Sequence, residues 1–515
     1  MTAEKIESWS SLENGTSNDD GKLLKSPAEK KLVRKINYTF MPLVILILFV
    51  QFVDKSTLTI SALFGIYEDT GITHDEFGWL GSIFYMGYLA IQIPNQYFLQ
   101  RVPISKYLGI ILLVWGVTLA CTALGNNFSQ LAAMRFLLGF FEGCTYPAVS
   151  KLLNNIMNFQ NKIFLLISTH YRKSEQVIWF GTMFATNAAS IIIGSLMGYG
   201  VGNMDGHLGI RAWKWSMIIF GIITFFLGIP FFLFLADKPK SRWFHLTEEE
   251  EKIVEARTRD NAVVQNHDIK RSHIIEALKE PRLYCFFFTS LFLNLQNGAI
   301  TTFASQIIAS MGFSVSILLL IYISICFSML LSYSLTSVLL NLPYGAAIML
   351  LVGIFTYLSH KLNDIGYVAM ASCVPPILGA ILLLVLPIGP VQLLGLYLSS
   401  TSPTYILLQT YISNNVGGYT KKIFYTSANI VAFCLGNFVG PLMMVSIQAP
   451  RYIGAQIGFA VADFLCILMF FYVRWSSGRE NARRRKLKDE GMIIEQDNEL
   501  QDKTDKEDLT FIYRL

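Results

Sequence analysis

The sequence predicts an all-α membrane protein with twelve transmembrane helices in two six-helix bundles. Hydrophobic residues make up 53% of its 515 residues and charged residues only 15%, whereas soluble domains have about 25% charged residues. Apolar runs of roughly 20 residues, which is the length that crosses a bilayer, recur along most of the chain. One long hydrophilic stretch, residues 236–282, divides these runs into two equal groups.

The predicted spans follow one another with short polar connections, and Asp, Glu, Lys and Arg are rare within them. The twelve spans are 41–60, 77–98, 106–124, 129–148, 177–199, 213–235, 283–309, 337–358, 366–386, 391–411, 424–446 and 453–473.

These spans divide the chain into five predicted regions. Residues 1–40 form an N-terminal tail, 41–235 the first bundle, 236–282 a central loop, 283–475 the second bundle and 476–515 a C-terminal tail. Lys and Arg concentrate in alternate connections, so the positive-inside rule places both termini in the cytoplasm. We expect a monomeric, multi-pass protein of the plasma membrane, with an internal membrane as the alternative. The basic residues behind the net charge of +5 are explained by this orientation in the membrane, so the charge gives no reason to expect a nucleic-acid partner.

The fourth span contains buried charges in the stretch RFLLGFFEG. In a helix, Arg135, Gly139, Glu142 and Gly143 share one face. A charge at membrane depth costs at least a few kcal/mol, so it normally faces a cavity or a partner. Asp54 on the first span lies at a matching depth, and we therefore expect Asp54 and Arg135 to share one polar cluster. Arg135 and Glu142 lie about 10 Å apart along one helix and should not pair directly.

Each of these three charges has alternative interpretations. Arg135 binds a substrate carboxylate through its planar donors, holds a proton-carrying acid ionised, or anchors helices one and four. Glu142 carries a proton, or accepts hydrogen bonds near the inner mouth. Asp54 carries the proton, pairs with Arg135, or is a helix-end charge beside Lys55.

The seventh span offers uncharged polar candidates for substrate binding. Asn294, Gln296, Asn297 and Thr301 fall on a helix that we expect Gly298 to interrupt, because an unwound turn can present backbone groups to a substrate. The alternative is that these side chains form interhelical hydrogen bonds and that Gly298 permits close packing.

The sequence carries no recognisable catalytic machinery. Neither a nucleotide-binding loop, nor a nucleophile elbow, nor a metal-ligand cluster is visible, so we expect no enzyme, no cofactor and no metal site. Any work that such a chain performs across the membrane would then have to be driven by an ion gradient. Protons are the expected coupling ion, with Glu142 and Asp54 as their carriers.

Several motifs resemble one known family. Arg135, Gly139 and Gly143 match the R-x-x-x-G-x-x-x-G pattern that the major facilitator superfamily carries on its fourth helix. Further stretches resemble the fungal allantoate permease family of anion:cation symporters. These stretches are VDKSTL (53–58), QIPNQ (92–96), EGCTYPA (142–148), YRKSEQ (171–176), LNLQNGAITTFASQII (293–308), LLNLPYGA (339–346) and APRYIGA (449–455). The connection LQRVPISKYLG departs from the Gly- and Asp-bearing pattern that the superfamily usually has there.

The resemblance implies a symporter that imports a small organic anion together with protons by alternating access. Family substrates include allantoate, vitamins such as nicotinate, small peptides and sulfonates, and the sequence does not choose among them. The alternative is a nutrient sensor of the same fold, which binds such a ligand without transporting it.

Two segments depart from the family pattern, residues 149–165 and 315–333. Both begin with Val-Ser, which GTA-AGT, a common start of fungal introns, would encode, and both are rich in the residues that AT-rich DNA encodes. A membrane crossing in the second would turn the later basic connections outward, against the positive-inside rule. We therefore interpret both segments as retained introns. Genuine insertions are the alternative.

Overall fold

The regular structure is helical throughout the part of the chain that the computed structural model describes. The described residues are 34–35, 38, 41–151, 173–234, 247, 270–311, 338–362, 364–490 and 503–515. The segments interpreted as retained introns lie outside these ranges, except for 149–151 at the end of one helix.

The described helices are numbered here in chain order. They are α1 Met41–Ser61, α2 Ile66–Thr70, α3 His74–Arg101, α4 Ile104–Thr122, α5 Phe128–Lys151, α6 Lys173–Gly202, α7 Ala212–Phe234, α8 Arg271–Leu278, α9 Pro281–Ser310, α10 Asn341–Leu362, α11 Ile365–Ser372, α12 Val374–Val385, α13 Gln392–Leu398, α14 Ser402–Asn415, α15 Tyr419–Leu442 and α16 Ile453–Asp489.

Six helical stretches among the described residues are long and apolar enough to cross a membrane. They are Ser105–Thr122, Ala212–Leu233, Asn341–Leu362, Ile365–Val385, Tyr419–Leu442 and Ile453–Asp489. The other predicted spans fall on α1, α3, α5, α6, α9 and the pair α13–α14. Twelve membrane crossings therefore stay a prediction.

Three of the predicted spans differ from the structure by a break or by a long extension. The predicted span 366–386 is divided at Cys373, just before Pro375 and Pro376, because proline has no N–H to continue the hydrogen-bond ladder. The predicted span 391–411 is divided likewise at residues 399–401, before Pro403. The last helix does not end at 473 but continues to Asp489, since the Arg-, Lys- and Glu-rich sequence that follows also favours helix.

Glycines allow the helices of the first half, residues 41–234, to pack closely. A Cβ atom on Gly139 of α5 would lie 1.8 Å from the Phe84 oxygen of α3, and one on Gly87 would lie 2.0 Å from the Phe136 oxygen. No side chain fits at such distances. The glycine spacing that follows Arg135 therefore brings the backbones of α3 and α5 into contact.

The expectation that Gly298 interrupts its helix is wrong. The helix α9 runs without a break from Pro281 to Ser310, and Gly298 lies inside it. A Cβ atom on Gly298 would lie 2.7 Å from the Asn437 Cα atom of α15. The glycine is thus there for close helix packing, which was the alternative interpretation.

The two halves of the chain, residues 41–234 and 270–490, contact each other toward one end of the molecule, where α1 ends at Ser61 and α3 begins at His74. We call this the far end. There the Thr59 hydroxyl donates to the Thr301 oxygen at 2.7 Å and the Ser82 hydroxyl to the Phe438 oxygen at 2.6 Å. The opposite end, where α9 and α15 begin, is called the tail end because residues 503–515 lie there.

Further contacts hold the halves together at the far end. The Asp75 carboxylate accepts hydrogen bonds from the Ser446 N–H at 2.9 Å and the Ser446 hydroxyl at 3.0 Å. The His74 Nε2 atom lies 2.7 Å from the Tyr452 hydroxyl, and the rings of His74 and Phe303 pack with centroids 5.0 Å apart. In this conformation the far end is closed.

Candidate functional site

Four charged side chains gather inside the first half, and we call them the charge cluster: Asp54 and Lys55 on α1, and Arg135 and Glu142 on α5. The Lys55 Nζ atom lies 3.1 Å from a Glu142 carboxylate oxygen. Asp54 interacts electrostatically with the other three members. Two positive and two negative residues thus offset one another, which burial inside a membrane protein requires.

Uncharged side chains complete the cluster. The Trp115 indole N–H of α4 donates to Asp54 Oδ2 at 2.7 Å. The Gln51 amide donates to Glu142 Oε1 at 3.0 Å and reaches the Thr145 hydroxyl at 3.4 Å. Because Gln51 and Lys55 bind the same carboxylate, one helical turn of α1 orients Glu142.

The charge cluster has spare hydrogen-bonding capacity. Asp54 Oδ1, Glu142 Oε2 and one terminal nitrogen of Arg135 are buried and have no hydrogen-bond partner. As expected from their spacing along α5, Arg135 and Glu142 form no ion pair within the described residues. Unsatisfied buried polar atoms are costly and often mark a position for a proton, a water or a ligand.

Lys55 is the most accessible member of the charge cluster. Its side chain is 18% exposed, whereas the Glu142 side chain is fully buried and Asp54 and Arg135 are nearly so. The ammonium also lies 5.5 Å from the centre of the Phe52 ring and is near Cys434 of the second half. Lys55 therefore faces the space between the halves, with the other three charges behind it.

In the second half, three asparagines form a hydrogen-bonded chain. The Asn297 amide donates to the Asn437 oxygen at 2.9 Å, and the Asn437 amide donates to the Asn294 oxygen at 3.0 Å. The Asn294 amide in turn donates to the Ser290 carbonyl at 2.7 Å. Asn294 and Asn297 thus serve in part as interhelical links between α9 and α15.

The other candidates of the second half have different surroundings. Gln296 is fully buried, and neither its amide nitrogen nor its amide oxygen has a partner. Thr301 donates to the Asn297 carbonyl at 2.6 Å and meets Thr59 of the first half. Asp463 of α16 lies apart from the charge cluster, fully buried with both carboxylate oxygens unpartnered.

Sequence reasoning missed several members of these groups. Lys55 is predicted only as a neighbour of Asp54, and Gln51, Trp115 and Asn437 are not predicted as site residues. One signal was available: in a helix Gln51 lies one turn before Lys55, so the two polar residues share a face of a largely apolar segment. Nothing in their own segments marks Trp115 and Asn437 as site residues, and only the packing of the helices brings them to the site.

A helical membrane chain whose halves meet at one end, with offsetting charges inside, has the construction of a transporter. The chain belongs to the major facilitator superfamily, whose family model matches residues 43–441. Allantoate permease of Saccharomyces cerevisiae is 31% identical, over 95% of this chain and 87% of that protein. An uncharacterized transporter of Schizosaccharomyces pombe is 33% identical, over 95% of this chain and 90% of that protein.

More distant relatives and solved structures agree with this family. A high affinity cysteine transporter of Saccharomyces cerevisiae is 25% identical, over 95% of this chain and 91% of that protein. An inward-facing bacterial homologue of the human lysosomal transporter Spinster has a TM-score of 0.57 at 13% identity, covering 87% of this chain and 97% of that chain. The nucleoside transporter NupG has a TM-score of 0.55 at 13% identity, covering 86% of this chain and 98% of that chain. The fold is that of a major facilitator transporter.

Proposed function

We propose that this chain is a proton-coupled importer of a small organic anion and works by alternating access. The observation that carries the proposal is the ion pair between Lys55 and Glu142, 3.1 Å long, at the most accessible point of the charge cluster. An ammonium binds carboxylates and sulfonates, and a carboxyl group can bind a proton. One pair of side chains thus offers a site for each of the two cargoes.

The geometry suggests how proton and anion are coupled. While Glu142 is ionised it competes with any anion for the Lys55 ammonium. A proton on Glu142 removes that competition, and the Gln51 amide still holds one carboxyl oxygen in place. The anion therefore binds best when the proton is also bound. Asp54 is the second proposed proton site, since its Oδ1 atom has no partner.

The second half would supply uncharged contacts to the rest of the substrate. Gln296 has both polar atoms of its amide unpartnered, and Asn297 and Thr301 are incompletely buried. Asn294 would support these residues and not contact the substrate, because its side-chain oxygen already accepts a hydrogen bond from the Asn437 amide. Arg135 contributes a fixed positive charge that attracts anions, and its unpartnered nitrogen is a further donor for a carboxylate.

We propose that the substrate is a small carboxylate or sulfonate, and that allantoate is the first candidate to test. Support comes from the name of the relative that is 31% identical and from the two positive residues of the charge cluster. A nutrient sensor of the same fold is the alternative, in which ligand binding is retained without flux.

Uptake of a panel of labelled organic anions into cells or proteoliposomes, at outside pH 5 and 7, tests this function. We expect concentrative uptake that is faster at pH 5. Lys55→Ala should lose at least about tenfold in uptake, the loss expected for one charge-assisted contact, whereas Lys279→Ala, at an exposed position, should not. Glu142→Gln should still exchange substrate and should respond less to the pH gradient than the parent chain does. Ligand binding without pH-dependent flux would favour the sensor instead.

We further propose twelve crossings in two six-helix bundles, with the tail end in the cytoplasm. The basic residues Arg101 and Lys361 lie at the tail end of their helices, and Arg474 directly follows the last predicted span, as the positive-inside rule requires. Cysteines introduced at Leu208, which is 77% exposed, and at Arg485 test the orientation. An impermeant thiol reagent should label Leu208→Cys in intact cells and Arg485→Cys only after permeabilisation, and the reverse pattern would overturn the proposed topology.

A further inference from the structure

Residues Lys503–Leu515, which we call the C-terminal segment, pack against the tail end of the second half. The Asn415 amide donates to the Arg514 carbonyl at 2.9 Å, and the Arg514 N–H donates back to the Asn415 oxygen at 2.7 Å. Asn481 and Tyr513 form the same reciprocal pair, at 2.8 and 2.9 Å. The segment therefore has backbone contacts with both α14 and α16.

A buried acid anchors this segment. The Asp505 side chain is fully buried between Arg282 at the start of α9 and Lys421 at the start of α15, with nitrogen–oxygen distances of 2.7 Å to each. The Tyr513 hydroxyl donates to the same carboxylate at 2.7 Å. Burial raises the pKa of Asp505, but Arg282 and Lys421 outweigh burial and lower its pKa to about 2.

The positive partners of Asp505 are held from the other side as well. Lys421 also pairs with Glu280 at 2.6 Å and Glu276 at 2.7 Å, and Arg282 pairs with Glu280 at 3.1 Å. Without Asp505, the Arg282 and Lys421 side chains would lie close together in a buried site with only Glu276 and Glu280 to offset their charges. Removing one partner from a buried ionic network is strongly destabilising, because the remaining charge stays desolvated.

Arg484, on the part of α16 beyond the predicted span, depends on the segment. Its guanidinium is almost fully buried and donates to the carbonyls of Asp505 at 2.8 Å, Asp508 at 3.1 Å and Phe511 at 2.5 Å. Glu480 of the same helix is its ion-pair partner, at 3.0 Å. Most of the hydrogen bonds of this buried cation thus come from the C-terminal segment.

The segment also fixes two connections of the second half. The Gly417 N–H, between α14 and α15, donates to Asp505 at 3.3 Å, and a Cβ atom on Gly417 would lie 2.8 Å from the Asp505 nitrogen. The Thr504 hydroxyl donates to Glu276 of α8 at 3.1 Å, so the end of the central loop is held too.

We infer that the C-terminal segment is a strap that fastens the tail-end termini of α9, α14, α15 and α16, and the last helix of the central loop, into one rigid unit. The inference goes beyond the proposed transport activity, because it concerns how the second half keeps its shape. In this view the tail end of the second half, including the α14–α15 connection that contacts Asp505 through Gly417, has its observed arrangement only while the segment is docked.

The thermal midpoint of the purified protein in detergent tests the strap. We expect Asp505→Asn, which keeps the side-chain shape but removes the charge, to lower the Tm by at least about 5 °C. Asp489→Asn makes the same substitution at an exposed position of α16 and should leave the Tm within about 1 °C. A milder variant, Tyr513→Phe, removes one hydrogen bond to Asp505 and should give an intermediate Tm. An unchanged Tm in Asp505→Asn would overturn the inference.

The pH dependence provides a check on the same variant. A carboxyl group whose pKa is lowered by folding stabilises the protein above its unfolded value of about 4, and this contribution disappears as the pH falls toward the folded value. The difference in Tm between the parent chain and Asp505→Asn should therefore be full at pH 7. It should shrink as the pH falls from about 4 to about 2, and a constant difference would contradict the role of the ionised carboxylate.

Docking itself can be measured by thiol labelling. Thr504 is fully buried, so the cysteine in Thr504→Cys should react slowly with an impermeant maleimide. The labelling of the parent chain, which comes from its native cysteines, is subtracted. We expect Asp505→Asn to raise that rate at least about tenfold, because the segment undocks. Leu509→Cys, at a position that is 41% exposed, is the matched control and should react rapidly in both backgrounds. Equal protection of Thr504→Cys with and without the Asp505 charge would contradict the strap. Neither readout requires transport, so failure of the proposed function would leave this test intact.

Discussion

The Arg135 guanidinium, on α5, is buried, and one of its terminal nitrogens has no hydrogen-bond partner. We expect Arg135→Lys to lose most uptake, about tenfold or more, because an ammonium keeps the charge but not the planar set of donors. Arg271→Lys, at an exposed position, is the control. Labelled-anion uptake, normalised to protein in the membrane, measures the effect. Near-normal uptake by the Lys variant would remove Arg135 from the substrate contacts.

At the scale of single residues, the sequence predicts which charged side chains are buried better than it predicts which residues contact them. Asp54, Arg135 and Glu142 could be found because a charge within an apolar run is expensive and hence rare. Trp115 and Asn437 could not, since neither residue type is unusual in a membrane helix and each becomes a partner only when another helix packs beside it. Lys55 was visible in the sequence, but its pairing with Glu142 depends on the relative rotation of α1 and α5.

The contact between α3 and α5 makes a prediction about helix packing. Gly139→Ala places a methyl group where the Phe84 oxygen lies 1.8 Å away, so the helices must separate. We expect a cost of at least about 1–3 kcal/mol, the usual range for overpacking, and a lower Tm. Gly353→Ala in α10, where no atom lies within 4 Å, should leave the Tm unchanged or slightly raised, because alanine favours helix. Equal Tm values for the two variants would mean that α3 and α5 are not in contact.

The retained-intron hypothesis belongs to the scale of whole elements. It rests on the sequence alone, because residues 152–172 and 312–337 lie outside the described ranges. We expect messenger RNA sequencing to find transcripts in which both segments are spliced out. If the transcripts engaged in translation keep both segments, then they are genuine insertions.

Helix positions were more predictable than helix breaks. Long apolar runs determine where helices such as α7 and α15 form, since each must satisfy its backbone hydrogen bonds internally in lipid. The breaks at Cys373 and before Ser402 follow from prolines that lie within continuous apolar runs, so hydropathy alone predicts one unbroken helix in each place. The continuation of α16 to Asp489 lies in a polar, helix-favouring sequence, and hydropathy detects only the apolar part of that helix.

For the whole molecule, the closed far end makes a prediction about alternating access. Asp75 and Ser446 hydrogen-bond across the two halves at 2.9 and 3.0 Å. We expect Asp75→Cys combined with Ser446→Cys to form a disulfide that keeps the far end closed and abolishes uptake. A reducing agent should restore uptake, and neither single variant should respond to it. Full uptake by the oxidised double variant would mean that the halves need not separate there.

The balance of charge in the interior has a consequence for membrane voltage. A carrier that moves one proton with one monovalent anion transfers no net charge. The charge cluster adds none, because, counted by residue type, it contains two positive and two negative side chains. Moving one elementary charge would otherwise be worth about 2.3 kcal/mol per 100 mV. We expect uptake into proteoliposomes to be the same at imposed potentials of about 0 and −100 mV, and a voltage-dependent rate would exclude this stoichiometry. Accumulation would then be limited by acidity alone, to about tenfold for each pH unit across the membrane.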